Sequence, residues 1–311
     1  MNGPSTKARI ALFTAQDTGF QLVEALAGRN DLELFVVTNR TARDDSYGYR
    51  SAVEPCIAHA IPFRQTSKVD EATVAQLAAF SPDLILSAYY PHIIPIAAQQ
   101  LSRVRPVNIH PGLLPNYRGK FPTPWYILNG ATEFGLSIHR LDGGIDTGAV
   151  VVQRSYPIAP DETGHSLYRK TMDCAVALLL EHVDDLLADR LPDRPQVGVG
   201  SYYDSIERRF AINWNMPARE IERRVRVHAK PYFPAFTFLM NHMVSISRVG
   251  LFTPDGYTAQ GGGKIVDVYD DGHFVVSCCD GCVVVEDYEV CPSLPPDALL
   301  RLLRLAGSCT N

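Results

Sequence analysis

Short, uninterrupted apolar runs alternate with longer segments of mixed character over the first half of the chain. RIALFTA (residues 9–15) and LELFVVTN (32–39) are apolar at nearly every position, as strands covered on both faces must be. Between them FQLVEALAG (20–28) reads as a helix that stops at Gly28, a common residue just past a helix end. VDEATVAQLAAF (69–80) predicts a second helix, and PDLILSAY (82–89) and RPVNIH (105–110) two further strands. This β–α–β rhythm predicts an α/β protein built on a Rossmann-like, doubly wound, mostly parallel sheet, with ligands at the carboxyl ends of its strands.

The pattern then changes. GLSIH (135–139) is a strand that leaves into a glycine-rich loop, and DETGHSLYRKTMDCAVALLLEHVDDLLAD (161–189) is a helix with Asp161 or Thr163 near its cap. RLPDRPQVGVGSYYD (190–204), rich in proline and glycine, is the expected linker, placing one domain at residues 1–200 and a second at 201–311. The second opens with the helix MPAREIERRVRVH (216–228), Pro217 suitably near its start. MVSISRVGLF (243–252), GGKIVDVYDDGHFVVSC (262–278) and GCVVVEDYEV (281–290) follow as short β runs with turns between them, which predicts a small, OB-like β-barrel.

Composition removes several classes. Hydrophobic residues make up 46% and charged residues 20%, the balance of a globular protein. No apolar run approaches the roughly 20 residues that span a bilayer. MNGPSTKARIALF leads into a strand without the features of a secretory signal, so no membrane association and a cytoplasmic location are expected. The seven cysteines lack a disulfide framework and read as reduced thiols. Cys279 and Cys282 have zinc-type spacing, with Cys291 as a further ligand in reach, yet the segment reads more simply as two strands around an Asp280-Gly281 turn, so no metal is expected. A net charge of −5 offers nucleic acid no general basic face. The first strand is followed by FTAQDTGFQ, where Gly19 is the only glycine, which counts against a nicotinamide-dependent oxidoreductase.

Candidate chemistry lies at the exit of RPVNIH. Asn108 and His110 stand two apart, so on a strand they point to one face. Such a pair belongs either to a site or to a satisfied hydrogen-bond network. HRLDGGIDTG (139–148) adds Asp142 and Asp146 on a glycine-rich loop. Asp146 before Thr-Gly fits an Asx-type turn, and it also fits an orienting partner for His110, because a neighbouring carboxylate raises a histidine's pKa and fixes its tautomer. Asn, His and Asp together suit acyl transfer without a covalent enzyme intermediate. Asn108 can donate an N–H to a carbonyl becoming an oxyanion, and His110 can stabilise that charge or take a proton from an attacking amine, a task a bound water can also perform. No serine or cysteine has the surroundings of an activated nucleophile. His139 and His165 read as structural or surface residues.

Asn108-x-His110 with PGLLPNYRG behind it, and GLSIHRLDGGIDTG, together resemble the formyltransferases that use N10-formyltetrahydrofolate. The two patterns are specific in combination, and the resemblance extends over nearly the whole chain: SPDLILSAYYPHIIP is similar to the family's folate strand and loop, and GGGKIVDVYDDGHFVVSCCDG to its barrel. The resemblance implies that residues 1–200 are the catalytic domain and that Asn108, His110 and Asp146 are the catalytic trio. It implies a pterin held by backbone around Ala88, Tyr89, Tyr90 and Ile93, with the Arg140, Leu141 and Asp142 loop opposite, and Leu113, Leu114 and Pro115 along the folate slot. One departure is visible. Gly112 stands where the family usually has serine, which removes a hydroxyl and leaves the trio in place.

The family's acceptors include initiator methionyl-tRNA, purine intermediates, amino-sugar nucleotides and hydroxyornithine-type amines. In the expected barrel, Asp255, Asp267, Asp270, Asp271, Asp280, Glu286, Asp287 and Glu289 outnumber Lys264, Arg301 and Arg304, the opposite of a tRNA-binding surface. YYPHI and YYDSIERR most resemble members acting on nucleotide-linked 4-amino sugars, so such a sugar, 4-amino-4,6-dideoxy or similar, is the expected acceptor, ahead of N-hydroxyornithine-type amines and methionyl-tRNA. Arg226 and Lys230, with Arg118, are candidates to hold its diphosphate, since arginine's planar fork donates to phosphate in pairs. Tyr232 and Phe233 are candidates to stack on its base, while Phe236 reads as core packing. The arginines of residues 219–226 are interleaved with Glu220 and Glu222, so a solvated helix face explains them equally. A folate-binding module without chemistry is the non-enzyme alternative, and the intact trio argues against it. A homodimer stays open.

Overall fold

A computed structural model describes residues 7–39, 47–252 and 261–308 of the protein; the leading MNGPST and Asp255 lie outside them. The first elements are β1 (Ala8–Thr14), α1 (Gln16–Ala27), β2 (Leu32–Thr38), α2 (Val53–Ala58), β3 (Phe63–Gln65), α3 (Glu71–Phe80), β4 (Leu84–Ala88), α4 (Ile96–Gln99) and β5 (Val107–His110). There follow β6 (Arg118–Gly119), α5 (Thr123–Leu128), β7 (Glu133–Arg140), β8 (Val150–Pro157), α6 (Gly164–Leu187) and β9 (Tyr202–Tyr203). The chain closes with α7 (Ala218–His228), β10 (Ala235–Leu239), β11 (His242–Phe252), β12 (Ile265–Val268), β13 (Phe274–Ser277), β14 (Cys282–Cys291) and α8 (Pro296–Ser308). Two compact units interleave in sequence: Met1–Thr123, Glu133–Pro157 and Arg169–Ser205 form the first, and Pro124–Thr132, Ile158–Tyr168 and Ile206–Asn311 the second.

The first unit is built on a seven-stranded sheet in the order β3-β2-β1-β4-β5-β7-β8. Its apolar strands are buried as their sequences demand: Ile10, Ala11, Leu12 and Phe13 of β1 are wholly inaccessible, and Phe13 joins Phe35, Ile85 and Leu77 in one core cluster. Strands β1 to β5 pair in parallel, and the order reverses between β1 and β4, the place where open α/β sheets bind ligands. The last two pairings, β5 with β7 and β7 with β8, are antiparallel. Apolar runs report burial and not strand direction, so this half of the sheet could not be oriented from pattern alone. At the first turn of α1, where dinucleotide folds seat a phosphate, the buried carboxylate of Asp17 takes that electrostatic place, 2.6 Å from Arg50 Nε and 3.2 Å from Arg169.

The proline- and glycine-rich stretch expected to be a linker is bonded to the first unit instead. Arg118 and Gly119 pair in parallel with Tyr202 and Tyr203, Tyr117 N–H donates to Ser201 Oγ at 3.0 Å, and the Tyr117 and Tyr203 rings stack at 5.2 Å. Gly119 has φ +100°, and a β-carbon there would lie 2.1 Å from the Tyr203 carbonyl oxygen, so only glycine allows this approach.

The second unit carries a five-stranded antiparallel sheet, β10-β11-β14-β13-β12, the small β domain expected there; among the described residues its end strands β10 and β12 are not hydrogen-bonded to each other, as in a partly open barrel. Ile221 and Val225 of α7 and Leu303 of α8 pack with Ile246, Val276 and Val285 of the sheet. The β13–β14 turn reaches α7, where Asp280 Oδ1 accepts the Ala218 N–H at 2.7 Å and caps the helix. Cys278 and Cys282 are buried and Cys279 and Cys291 exposed; among the described residues no His, Cys, Asp and Glu side chains gather as a metal site.

Candidate active site

Strand β5 puts Asn108 and His110 on one face, and β7 lies beside it in antiparallel register, pairing Asn108 with His139 and His110 with Ser137. Both histidines are almost wholly buried. His110 Nε2 lies 2.6 Å from the Tyr117 carbonyl oxygen, and its Nδ1 is 3.5 Å from Asp146 Oδ2. Acceptors thus face both ring nitrogens, which favours the imidazolium, while burial opposes it. Burial wins: the His110 pKa lies below the ordinary histidine value, with Asp146 and the Tyr117 carbonyl offsetting only part of the desolvation. The rise expected from a carboxylate neighbour is therefore reversed by the dry environment.

Asp146 projects from the glycine-rich loop in a left-handed conformation (φ 54°). Its carboxylate accepts the Gly119 N–H at 3.0 Å and lies 3.4 Å from His139 Nε2. Burial pushes its pKa up, but His110, His139 and the Gly119 N–H together bring it down to about 2, so it is ionised at any ordinary pH. Asp142, the other acid of the loop, is exposed and turned inward on the loop itself, accepting the Gly144 N–H at 2.9 Å and the Thr147 hydroxyl at 2.7 Å. Geometry thus brings Asn108, His110 and Asp146 together and leaves Asp142 aside.

Sequence reasoning missed the participation of His139. Its Nε2 lies 3.1 Å from Asn108 Nδ2 and its Nδ1 2.9 Å from the Arg140 carbonyl oxygen. It is a buried structural histidine, as read, but one that touches two of the trio. Ser137, paired with His110, donates to the Gly112 carbonyl at 2.6 Å and accepts the Leu114 N–H at 3.3 Å, fixing the turn that follows His110. The signal for both was the alternate spacing of Ser137 and His139 along an otherwise apolar strand.

Ala88 ends β4 beside β5, and Tyr89 beyond it has φ 56°. Tyr90 packs edge-on against Phe13 at 5.3 Å, in the same core cluster as Leu141. Gln99 Nε2 donates to the Ile94 carbonyl at 2.8 Å and approaches the Asp142 carbonyl at 3.4 Å, which ties the segment around Ile93 to the loop after β7. Ile93 and Ile145 are exposed (78% and 55%). Leu114 is buried, Leu113 lies over the bare backbone of Gly135, and Pro115 gives its carbonyl to the Ser201 N–H at 3.3 Å. The Arg140 guanidinium is committed to Asp189 (2.7 Å) and Asp193 (2.9 Å), so only its backbone faces the loop.

Arg118, named for acceptor phosphate, is buried and donates to Gln196 Oε1 at 2.6 and 3.1 Å and to Tyr202 Oη at 3.2 Å. The other four acceptor candidates belong to the second unit. Arg226 lies 2.7 Å from Glu222 and donates to the Pro160 carbonyl at 2.8 Å; Lys230 lies 2.5 Å from Glu289. Both line a cavity of about 370 Å³ within that unit. Tyr232 meets His165 edge-on at 5.5 Å, and Phe233 lies under the guanidinium groups of Arg208 (4.6 Å) and Arg209 (5.6 Å).

At the end of β5, Asn108 and His110 stand with Asp146 from the loop after β7, the residue types that acyl transfer uses. The comparisons with known proteins give the class of the chain. The family model for formyl transferase matches residues 8–183, and that for the formyl transferase C-terminal domain matches residues 206–294. The methionyl-tRNA formyltransferase of Pelobacter propionicus is 32% identical over 275 residues, covering 86% of this chain and 84% of the relative. That of Nitrosomonas europaea is 34% identical over 222 residues, 70% of this chain and 68% of the relative. Among solved structures, WlaRD, a sugar 3N-formyl transferase studied with dTDP and 5-N-formyl-THF, superposes with a TM-score of 0.69 at 20% identity, covering 94% of this chain and all of that one (100%). The N-formyltransferase of Helicobacter canadensis, in complex with folinic acid and dTDP-3-aminofucose, does so with a TM-score of 0.69 at 19% identity, over 91% of this chain and 99% of that one. This chain belongs to the formyl transferase family. It is an enzyme of that family.

Proposed function

We propose that this formyltransferase moves the formyl group to the primary amine of a nucleotide-linked amino sugar, with Asn108, His110 and Asp146 as its catalytic trio. The amine attacks the formyl carbon, forming a C–N bond. The developing oxyanion is met by the Asn108 amide and the His110 ring, and collapse expels N10 of tetrahydrofolate. His110 or a water takes the amine proton, with the ionised Asp146 supporting the charged ring. Ala88, Tyr89, Tyr90, Ile93 and the Leu141–Asp142 backbone hold the pterin, and Leu113, Leu114 and Pro115 border the folate slot. The exposed Ile93 and Ile145 suit a flat apolar ligand between two loops tied by Gln99.

One observation carries the choice of acceptor: five cations of the second unit, both diphosphate candidates among them, are paired with acids of the same unit. Arg224 lies 3.0 Å from Glu207, Arg226 2.7 Å from Glu222, Lys230 2.5 Å from Glu289, Arg248 2.9 Å from Glu286 and Arg304 2.7 Å from Asp270. A protein that grips tRNA needs such groups free to neutralise many phosphates, whereas a sugar nucleotide carries two. The second reading, formylation of methionyl-tRNA, is favoured by the activity of the relatives that are 32% and 34% identical. Small soluble reactants fit a cytoplasmic enzyme, and no described helix is long and apolar enough to cross a membrane. The deciding assay follows tetrahydrofolate release from N10-formyltetrahydrofolate with nucleotide-linked 3- and 4-amino sugars, N-hydroxyornithine and charged initiator tRNA. Turnover with a sugar nucleotide supports the proposal; turnover with tRNA alone overturns it.

A further inference from the structure

We infer that Gln196, oriented by Arg118, is a positioning residue for Asp146, clamping the backbone of the loop from which that carboxylate projects. This rests on the catalytic reading of Asp146. Gln196 Nε2 donates to the carbonyl oxygens of Asp146 at 2.8 Å and Gly148 at 2.7 Å. Its Oε1 accepts two bonds from the Arg118 guanidinium, at 2.6 and 3.1 Å. Arginine only donates, so it holds the glutamine oxygen toward itself and sends both amide hydrogens to the loop. Arg118 is in turn 8% exposed and steadied by Tyr202 Oη at 3.2 Å and the Val199 carbonyl at 3.4 Å.

The loop needs such a clamp. Asp146 holds a left-handed conformation that a residue with a β-carbon leaves readily, and Gly143, Gly144 and Gly148 around it offer little resistance. On the other side, residues 117–119 divide three tasks: the Tyr117 carbonyl faces His110 Nε2, the Arg118 side chain holds Gln196, and the Gly119 N–H donates to Asp146 Oδ2. One short segment therefore fixes His110 directly, Asp146 directly, and the Asp146 backbone through Gln196. Loss of the glutamine's N–H donors frees the loop to rotate and carries the carboxylate away from His110.

Gln196→Glu tests this, because it keeps an oxygen for Arg118 and removes both donors. The readouts are the His110 ring titration by NMR in the free protein, and turnover with whichever acceptor of the panel supports tetrahydrofolate release. Asp146→Asn is the reference and lowers the His110 pKa by removing its carboxylate. Gln196→Glu is expected to lower it in the same direction and to reduce kcat on the order of 10–100-fold, with KM for formyl-folate unchanged. Arg118→Lys, which keeps the charge but loses the fork, gives a smaller loss of the same kind and serves if Gln196→Glu fails to fold. A wild-type His110 titration and kcat in a folded Gln196→Glu or Arg118→Lys protein overturns the clamp while leaving Asp146 catalytic. An Asp146→Asn protein of full activity overturns the catalytic reading itself, and the clamp with it.

Discussion

Asn108 Nδ2 lies 3.1 Å from Nε2 of His139, its partner across the β5–β7 ladder. In the tautomer that donates from Nδ1 to the Arg140 carbonyl, 2.9 Å away, Nε2 is unprotonated and accepts the Asn108 amide; the other arrangement turns an Nε2–H toward Asp146 Oδ1 at 3.4 Å. As acceptor, Nε2 fixes the Asn108 amide nitrogen and, in the proposed mechanism, leaves its second hydrogen for the oxyanion. We predict that His139→Phe, which keeps a ring and removes the acceptor, lowers kcat by about 10- to 100-fold, short of or equal to the loss of an oxyanion donor. Formyl-folate affinity should hold within about threefold, the ordinary cost of a remote ring contact being under 1 kcal/mol. Steady-state kinetics with parallel ligand titration check this, and an unchanged kcat would refute it.

Gly112 touches the trio in a way its missing hydroxyl did not suggest. A β-carbon there would lie 2.7 Å from His110 Cδ2, 2.8 Å from its Nε2 and 2.8 Å from the Tyr117 carbonyl oxygen. The ring reaches the Tyr117 carbonyl through the space that a β-carbon at Gly112 would take. Gly112→Ser should displace the ring and cost it the bond that favours its charged form, so the His110 pKa falls further. An NMR titration matching the wild type would show that the ring accommodates the serine without moving.

Acid should loosen the fold in two stages. The His110 pKa is lowered in the folded protein, so the unfolded chain binds the proton more tightly, and stability present above about pH 6.5 is lost as pH falls below it. Asp146 is depressed from 3.8 to about 2, so its contribution is present above the unfolded value and disappears as pH drops through the folded one. The second contribution amounts to about 2 kcal/mol, from about 1.4 kcal/mol per pKa unit. Thermal unfolding from pH 7.5 to 5 should show a falling midpoint in the wild type and a flatter curve in His110→Asn. Equal slopes in the two proteins would sink the assignment of the first stage to His110.

The parts legible in the sequence were those set by local chemistry. Strands β1, β2, β4 and β5 announced themselves because each is buried on both faces, and Asn108, His110 and Asp146 because polar groups at strand exits and glycine loops need a reason. β3 is three residues long with two of them exposed, too short and too wet for a pattern. α8 was passed over although Leu303 packs into the core, since its apolar stripe follows a run of strands. Gln196 was invisible for another reason: its partners Asp146 and Arg118 lie 50 and 78 residues away, and a lone glutamine in a proline-rich stretch carries no local signal.

Salt dependence separates the two acceptor readings. A tRNA substrate held through 6–10 phosphate contacts would lose about 10³–10⁵ in affinity between 50 and 200 mM salt, because each contact releases a counterion. On the proposed reading the second unit responds weakly, because Arg226 and Lys230 already face Glu222 and Glu289, and a rise in salt would weaken those pairs as well as any pair with phosphate. A sugar nucleotide engages a single diphosphate, so we predict that kcat/KM for the acceptor changes by no more than about 15-fold over the same range, two contacts giving a slope near −2. Uncharged tRNA added at micromolar concentration should leave the rate as it was. A steep salt slope together with inhibition by tRNA would assign the enzyme to the translation pathway's acceptor instead, and would mean that phosphate displaces the acids from Arg226 and Lys230 on binding.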